Sequence, residues 1–227
     1  MKFRNNIFIL VIIFCVSSCS KQKDETAIEY GFNFFPIDTV KNYIYAIDSI
    51  SYNSNTKSID TFKFTLKTKF ELSFVDTNGN KTWRLKRFAL YKNTTDFVET
   101  QNHFVQFSNN QYIYTENNVA YLKAIFPLKN NLNWNGNLYN SLIRIKSEII
   151  FYNQDFSIND TTFLMSTKIN EEISEDFIFD IERFSVYQNN IGLVYFKNKN
   201  IETQTNQQGQ PVKSGFDVRM RLIEILD

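Results

Sequence analysis

Histidine, cysteine, proline and glycine are all scarce in this chain. Its 227 residues hold one histidine, two cysteines, three prolines and six glycines. Nucleophilic triads and most metal sites are built on histidine. The single one, His103, lies between aromatic neighbours in an alternating stretch (Phe104, Phe107) and is expected to be a structural residue rather than a ligand. There is no Walker loop, no GxGxxG and no HExxH. Paired carboxylates could still cleave glycosides. But Asp38, Asp48, Asp60, Asp76 and Asp160 mostly stand beside Ser or Thr at the ends of alternating runs, as ordinary loop acids do. The expectation is a protein that is not an enzyme and uses no cofactor or metal. Few prolines and glycines, set against 23 Phe and 12 Tyr, also exclude a low-complexity stalk.

Excess charge is lacking too. Lys and Arg number 25 and Asp and Glu 24. A near-neutral domain has no electrostatic footprint for nucleic acid, which needs a basic face to displace phosphate counterions.

The most informative stretch is the beginning. Lys2 and Arg4 precede an unbroken apolar run from Ile7 through Val16, closed by Ser17 and Ser18. A positive start, a short apolar run and small residues are the parts of a signal peptide. The run is about half the roughly 20 residues that a membrane-spanning helix needs. Val16-Ser17-Ser18-Cys19 resembles the lipobox of bacterial lipoproteins, and that resemblance implies cleavage before Cys19 and acylation of its thiol. Cys15 would leave with the leader, so the mature chain would keep one cysteine, at the position where lipid is expected. The resulting division is a signal peptide at 1–18, a lipidated tether at 19–29 and a single antiparallel β domain at 30–227. Two or more acyl chains anchor stably, so the partner expected first is membrane lipid. Ser20 at the position after the cysteine favours the outer membrane, and Lys21-Gln22-Lys23-Asp24-Glu25 looks like a surface-export signal.

Past the tether, period-two alternation dominates. Phe62, Phe64, Leu66, Phe70, Leu72 and Phe74 fall on one face of an extended chain, with Lys63, Lys67, Lys69, Glu71 and Ser73 on the other. The run ends at Asn78-Gly79, a hairpin signal. A calcium loop is excluded there, because Lys81 stands where the obligatory glycine would be and Arg87 where the bidentate Glu would be. Further strands are expected over 42–53, 103–107, 111–116, 119–126, 142–152 and 162–169, with a second tight hairpin at Asn117-Asn118. A last strand carries Phe216, Val218, Met220 and Leu222, after a loop at 203–210. Ile173, Phe177, Ile181 and Phe184 have helical spacing and predict a short helix. The fold class is all-β: an antiparallel β-sandwich or partly open β-barrel with at most one or two short helices.

Phe35-Pro36-Ile37 leading into Asn42-Tyr43-Ile44-Tyr45 and Asp48-Ser49-Ile50 resembles the entry of an uncharacterised Bacteroidota-type outer-membrane lipoprotein family. Phe126-Pro127-Leu128, Trp134-Asn135-Gly136-Asn137 and Ile191-Gly192-Leu193-Val194-Tyr195 continue the likeness. Lys41 and Ile44 depart from the family's glycine and tryptophan. The resemblance implies a lineage and no chemistry. In that lineage Asp-(Ser/Thr) motifs mark Thr39, Ser49 and Thr161 as candidate O-glycosylation sites. Three functional classes remain: a lipid-anchored binding or scaffold module with an envelope protein or glycan partner, a carrier of an apolar ligand or lipid in an open barrel, and a glycan-binding or glycan-processing surface. Trp134, Trp83 and Tyr139 are the candidate contacts for stacking on a ligand, Trp134 above all because it sits in an Asn-Gly-Asn turn. An internal apolar cavity would favour the carrier, a flat aromatic patch the binder, and a cleft with facing carboxylates the hydrolase.

Overall fold

The computed structural model describes residues 29–227 apart from Asn78, Asn93 and Gln207. The expected signal peptide, Cys19 and the expected tether up to residue 28 lie outside the described residues. Thirteen strands follow one another: β1 (Asn42–Asn53), β2 (Ser58–Val75), β3 (Lys81–Tyr91), β4 (Val98–Glu99), β5 (His103–Ser108), β6 (Gln111–Glu116) and β7 (Val119–Ile125), then β8 (Asn133–Asn135), β9 (Lys146–Ile158), β10 (Thr161–Glu175), β11 (Phe179–Gln188), β12 (Gly192–Thr205) and β13 (Pro211–Leu226).

All of them belong to one antiparallel sheet in the order β7-β6-β5-β3-β2-β1-β13-β12-β11-β10-β9-β8, with β4 as a short appendage on β3. The sheet curls almost into a closed barrel with one unsealed seam, between edge strands β7 and β8. Of the two all-β alternatives, the barrel is the one formed. No helix among the described residues is long and apolar enough to cross a membrane.

Tight asparagine turns hold the meander together. Asn117 and Asn118 both take positive φ, as do Asn109 and Asn110, and each pair makes a two-residue hairpin. Two consecutive left-handed residues define the turn whose twist matches the strands it joins, and asparagine tolerates them better than other side chains.

Three expectations need correction. The short helix near 173–184 is absent: this stretch is the β10–β11 hairpin, turned by Asp176, whose carboxylate accepts the backbone N–H of Ile178 (2.7 Å) and Phe179 (2.6 Å). The apolar face of β2 is buried only in its middle. Leu66 is buried and Phe64 and Phe70 half-buried, whereas Phe62, Leu72 and Phe74 are exposed because β2 runs past the barrel core at both ends. Residues 203–205 belong to β12, which leaves 206–210 as the turn.

One irregular pair folds over the outside. β9 and β10 carry several register shifts, and Asn153 and Met165 take positive φ. The bent tip brings Phe156 to 5.7 Å from the Tyr195 ring, and Thr161 accepts a hydrogen bond from Arg221 Nη1 at 3.4 Å. The outer face of β11–β13 is covered in this way. At Gly215 on β13 a Cβ would stand 2.0 Å from the Asn200 carbonyl oxygen, so only glycine lets β12 approach that closely.

Candidate functional site

Before the first strand, a 3-10 turn at Phe32–Phe34 drives aromatics into the barrel. Phe34 is fully buried, and the Phe35 ring lies 4.3 Å from Tyr187, 4.6 Å from Tyr112 and 5.6 Å from Phe126. Backbone bonds from Leu128 N to Tyr30 O (3.1 Å) and Asn190 N to Asn33 O (2.8 Å) fix the segment. Phe35 and Pro36 then form one wall of an internal cavity of about 240 Å³ that is partly open to solvent.

Inward-facing residues of eight strands make up the rest of the lining. Tyr43, Tyr45 and Ile47 of β1 stand opposite Thr68, Leu66 and Phe64 of β2, Phe70 lies one step beyond that ladder, and Leu193, Phe196, Val218 and Met220 line the cavity from β12 and β13. Period-two alternation accounts for this wall on β1, β2 and β13, where strand residues two apart share a face; on β12, Leu193 and Phe196 are three apart and share it because the register shifts at Val194.

A charged cluster interrupts it. Arg87 of β3, Tyr114 and Glu116 of β6, Lys123 of β7, and Arg183 and Ser185 of β11 also line the cavity. Behind them, buried Glu171 of β10 receives Lys123 Nζ at 2.5 Å and the Ser185 hydroxyl at 2.6 Å, with Arg183 Nε at 3.9 Å. Burial pulls the Glu171 pKa upward, but Lys123, Arg183 and the two hydrogen bonds outweigh it and hold the carboxyl below its ordinary value. His103 is fully buried beside Arg87, whose Nη1 lies 3.2 Å from His103 Nε2, while His103 Nδ1 is hydrogen-bonded to the Tyr114 hydroxyl. Burial, reinforced by Arg87 and Lys123, lowers the His103 pKa to about 4, so the ring is neutral at pH 7. Burial also raises the pKa values of Tyr45, Tyr112 and Tyr114, and their hydroxyls remain protonated.

The seam shares this site. Leu122 of β7 donates its N–H to Gly136 O (2.9 Å) and accepts the indole N–H of Trp134 of β8 at 2.8 Å. Asn140 Nδ2 donates to Ala120 O at 2.8 Å. One backbone bond and two side-chain bonds thus stand in for a missing ladder, and the Lys123–Glu171 pair links β7 to the far side of the same gap.

The candidate contacts read from the sequence are dispersed. Trp134 is buried, and its indole is occupied in the seam, so it presents no open face for stacking; an Asn-Gly-Asn turn suggested exposure, but the turn folds back on β7. Trp83 is half-buried against the core, with Lys81 Nζ 6.0 Å from its ring. Tyr139 is exposed, with its hydroxyl bonded to Gln111 Oε1. The three do not form a flat platform. Thr39 is exposed, Ser49 is half-buried on β1, and Thr161 is half-buried at the β9–β10 tip. Of the acids expected at loops and strand ends, Asp38 caps the N–H of Val40 and Lys41 and Asp76 accepts from Asn80 in a turn, and Asp60 accepts from Ser58 near the start of β2, whereas Asp48 lies in the middle of β1 and pairs across the ladder with Lys63. No cluster of three or more potential metal ligands occurs among the described residues.

Sequence reasoning missed the interior charges. Arg87 carried the clearest signal: it shares a strand face with Trp83, Leu85 and Ala89, where a charge is out of place. No family model, curated protein or solved structure matches the chain.

Proposed function

We propose that the protein is a lipid-anchored carrier of the bacterial cell envelope that holds a small, largely apolar molecule inside its incompletely closed barrel. The observation that carries this reading is the internal cavity of about 240 Å³, walled by aromatic and aliphatic side chains. Small-molecule sites are concave, mostly apolar and furnished with a few placed polar groups, at about 300–1,000 Å³. This cavity lies just below that range, which suits a compact ligand or one segment of a longer chain emerging through the open side. The anchor and the outer-membrane address rest on the leader and the lipobox-like Val16-Ser17-Ser18-Cys19.

Binding of the uncharged dye N-phenyl-1-naphthylamine tests the carrier. The purified protein should enhance its fluorescence saturably, and Val218→Trp, which fills part of the cavity, should abolish the enhancement without unfolding the protein. A Val218→Trp variant that binds the dye as well as the parent refutes the reading. Cys19→Ala should release the protein from membranes, and palmitate labelling that persists in that variant refutes the anchor.

A further inference from the structure

We infer that the ligand of this carrier is an amphipathic anion, with an apolar body in the barrel and an oxyanion head, carboxylate or phosphate, held by Arg87 and the Tyr114 hydroxyl. The inference rests on the carrier reading and deepens it. Its first support is the balance of charge at the cavity wall. Arg87, Lys123 and Arg183 face Glu116 and Glu171, so one cation is left over. Lys123 is paired with Glu171 at 2.5 Å, and Glu171 also answers Arg183. Arg87 is the remainder: among the described residues no carboxylate lies within salt-bridge distance of it, and its side-chain partner is the neutral His103.

The second support is the direction of the hydrogen bonds. A guanidinium has five N–H donors and cannot accept, so the contact between Arg87 Nη1 and His103 Nε2 makes Nε2 the acceptor. In a neutral imidazole the proton is then on Nδ1, which faces the Tyr114 oxygen and donates to it. Tyr114 has thereby used its oxygen as acceptor, and its own O–H proton is left to donate from the cavity wall. The polar end of the cavity is therefore an unspent donor next to a cation. Buried donors without acceptors are costly, and an oxyanion is the head that supplies acceptors and charge together. Glu116 opposes it, but its side chain is more than one-third exposed and its charge is better screened.

Displacement of N-phenyl-1-naphthylamine by four eight-carbon probes tests the inference: octanoate, octyl phosphate, 1-octanol and octylammonium. At least one of the two anions should displace the dye about tenfold or more better than 1-octanol, as expected for hydrogen bonds to a charged group, and octylammonium should be the weakest. Which anion leads separates a carboxylate head from a phosphate head. Arg87→Met should abolish the preference, so that the favoured anion displaces the dye no better than 1-octanol does from the same variant. Tyr114→Phe, which keeps the ring packing, should lower the ratio of anion to 1-octanol displacement several-fold, and decides the matter should Arg87→Met fail to fold. Displacement by 1-octanol with no anion preference, or a preference for octylammonium, overturns the inference and leaves the carrier standing. A protein that binds neither dye nor any probe overturns both.

Discussion

The indole N–H of Trp134 donates to the backbone carbonyl of Leu122 at 2.8 Å, and this bond joins the two edge strands of the sheet where no ladder does. Trp134→Phe would delete the donor together with the pyrrole half of the buried indole, leaving a buried carbonyl without that partner and a void beside it, at a cost of about 1–3 kcal/mol for the lost bond and more for the void. The denaturant midpoint should fall accordingly, and the Leu122 amide should exchange faster while the Leu66 amide in β2 is unchanged. An unaltered midpoint with unaltered Leu122 exchange would show that the indole bond does not hold the seam.

Glu171 is the buried acid between Lys123 and Arg183. Glu171→Gln preserves shape and leaves both cations without a counter-charge, so a loss of about 3–5 kcal/mol is expected. Replacing the Lys123 partner as well, in Glu171→Leu with Lys123→Met, should recover part of the loss, because one uncompensated charge goes with it. A double variant no more stable than Glu171→Gln would show that burial of charge is not what makes the single change costly.

His103 makes the fold acid-sensitive. Its pKa falls from 6.5 to about 4 on folding, chiefly through burial. The unfolded chain therefore binds the proton more tightly, so the contribution is present above about pH 6.5 and is lost as the pH falls to about 4. The loss is roughly 3 kcal/mol. Glu171, whose folded pKa is lowered, adds a loss of the same sign as the pH drops below its ordinary carboxyl range. Unfolding followed from neutral to acid pH should show a decline beginning near 6.5. His103→Gln should lack that upper limb, whatever its absolute stability, and retention of the limb would assign it to another group.

On β2, Leu66 is buried, Phe64 lines the cavity, and Lys63 pairs with Asp48 at 3.3 Å in solvent. Leu66→Ala should cost about 2–5 kcal/mol. Phe64→Ala should cost less than the roughly 3–5 kcal/mol typical of a packed phenylalanine, since it already borders open volume, and should enlarge the dye site. Lys63→Ala should stay within about 0.5 kcal/mol. Equal losses at Lys63 and Leu66 would contradict the assigned faces.

The strands were legible because period-two alternation is a local property. β1 occupies the expected 42–53 and β6 the expected 111–116, and Asn117-Asn118 turns as its chemistry requires. Depth was not legible. Alternation says which face Phe62, Leu72 and Phe74 share, not that β2 outruns the barrel. The helical spacing from Ile173 to Phe184 arose from a hairpin: Ile181 lies across from Ser174 and the turn resets the alternation between them, giving intervals of four, four and three without a helix. The charged end of the cavity was hidden for a different reason. Glu171, Lys123 and Arg183 come from three separate strands, and Glu171 is itself the extra residue at a register shift between Asn170 and Glu172, with no register partner on β11. Only Arg87 announced itself, as a charge on an apolar face.

β1 and β13 are neighbours in the sheet although they are its first and last strands in the chain, while the other ladders join strands that are consecutive or next but one. The pairing of β1 with β13 unites two meanders, β1–β7 and β8–β13, each made of short-range hairpins. Closing a long loop costs entropy that local pairings avoid, so this single ladder sets the order of events. Until β13 has formed, β1 keeps one edge unpaired, and such an edge invites wrong partners. The space inside the barrel has walls on both meanders, so it does not exist until they meet. A cavity of this kind can receive a molecule only once the two meanders have met, not while either stands alone.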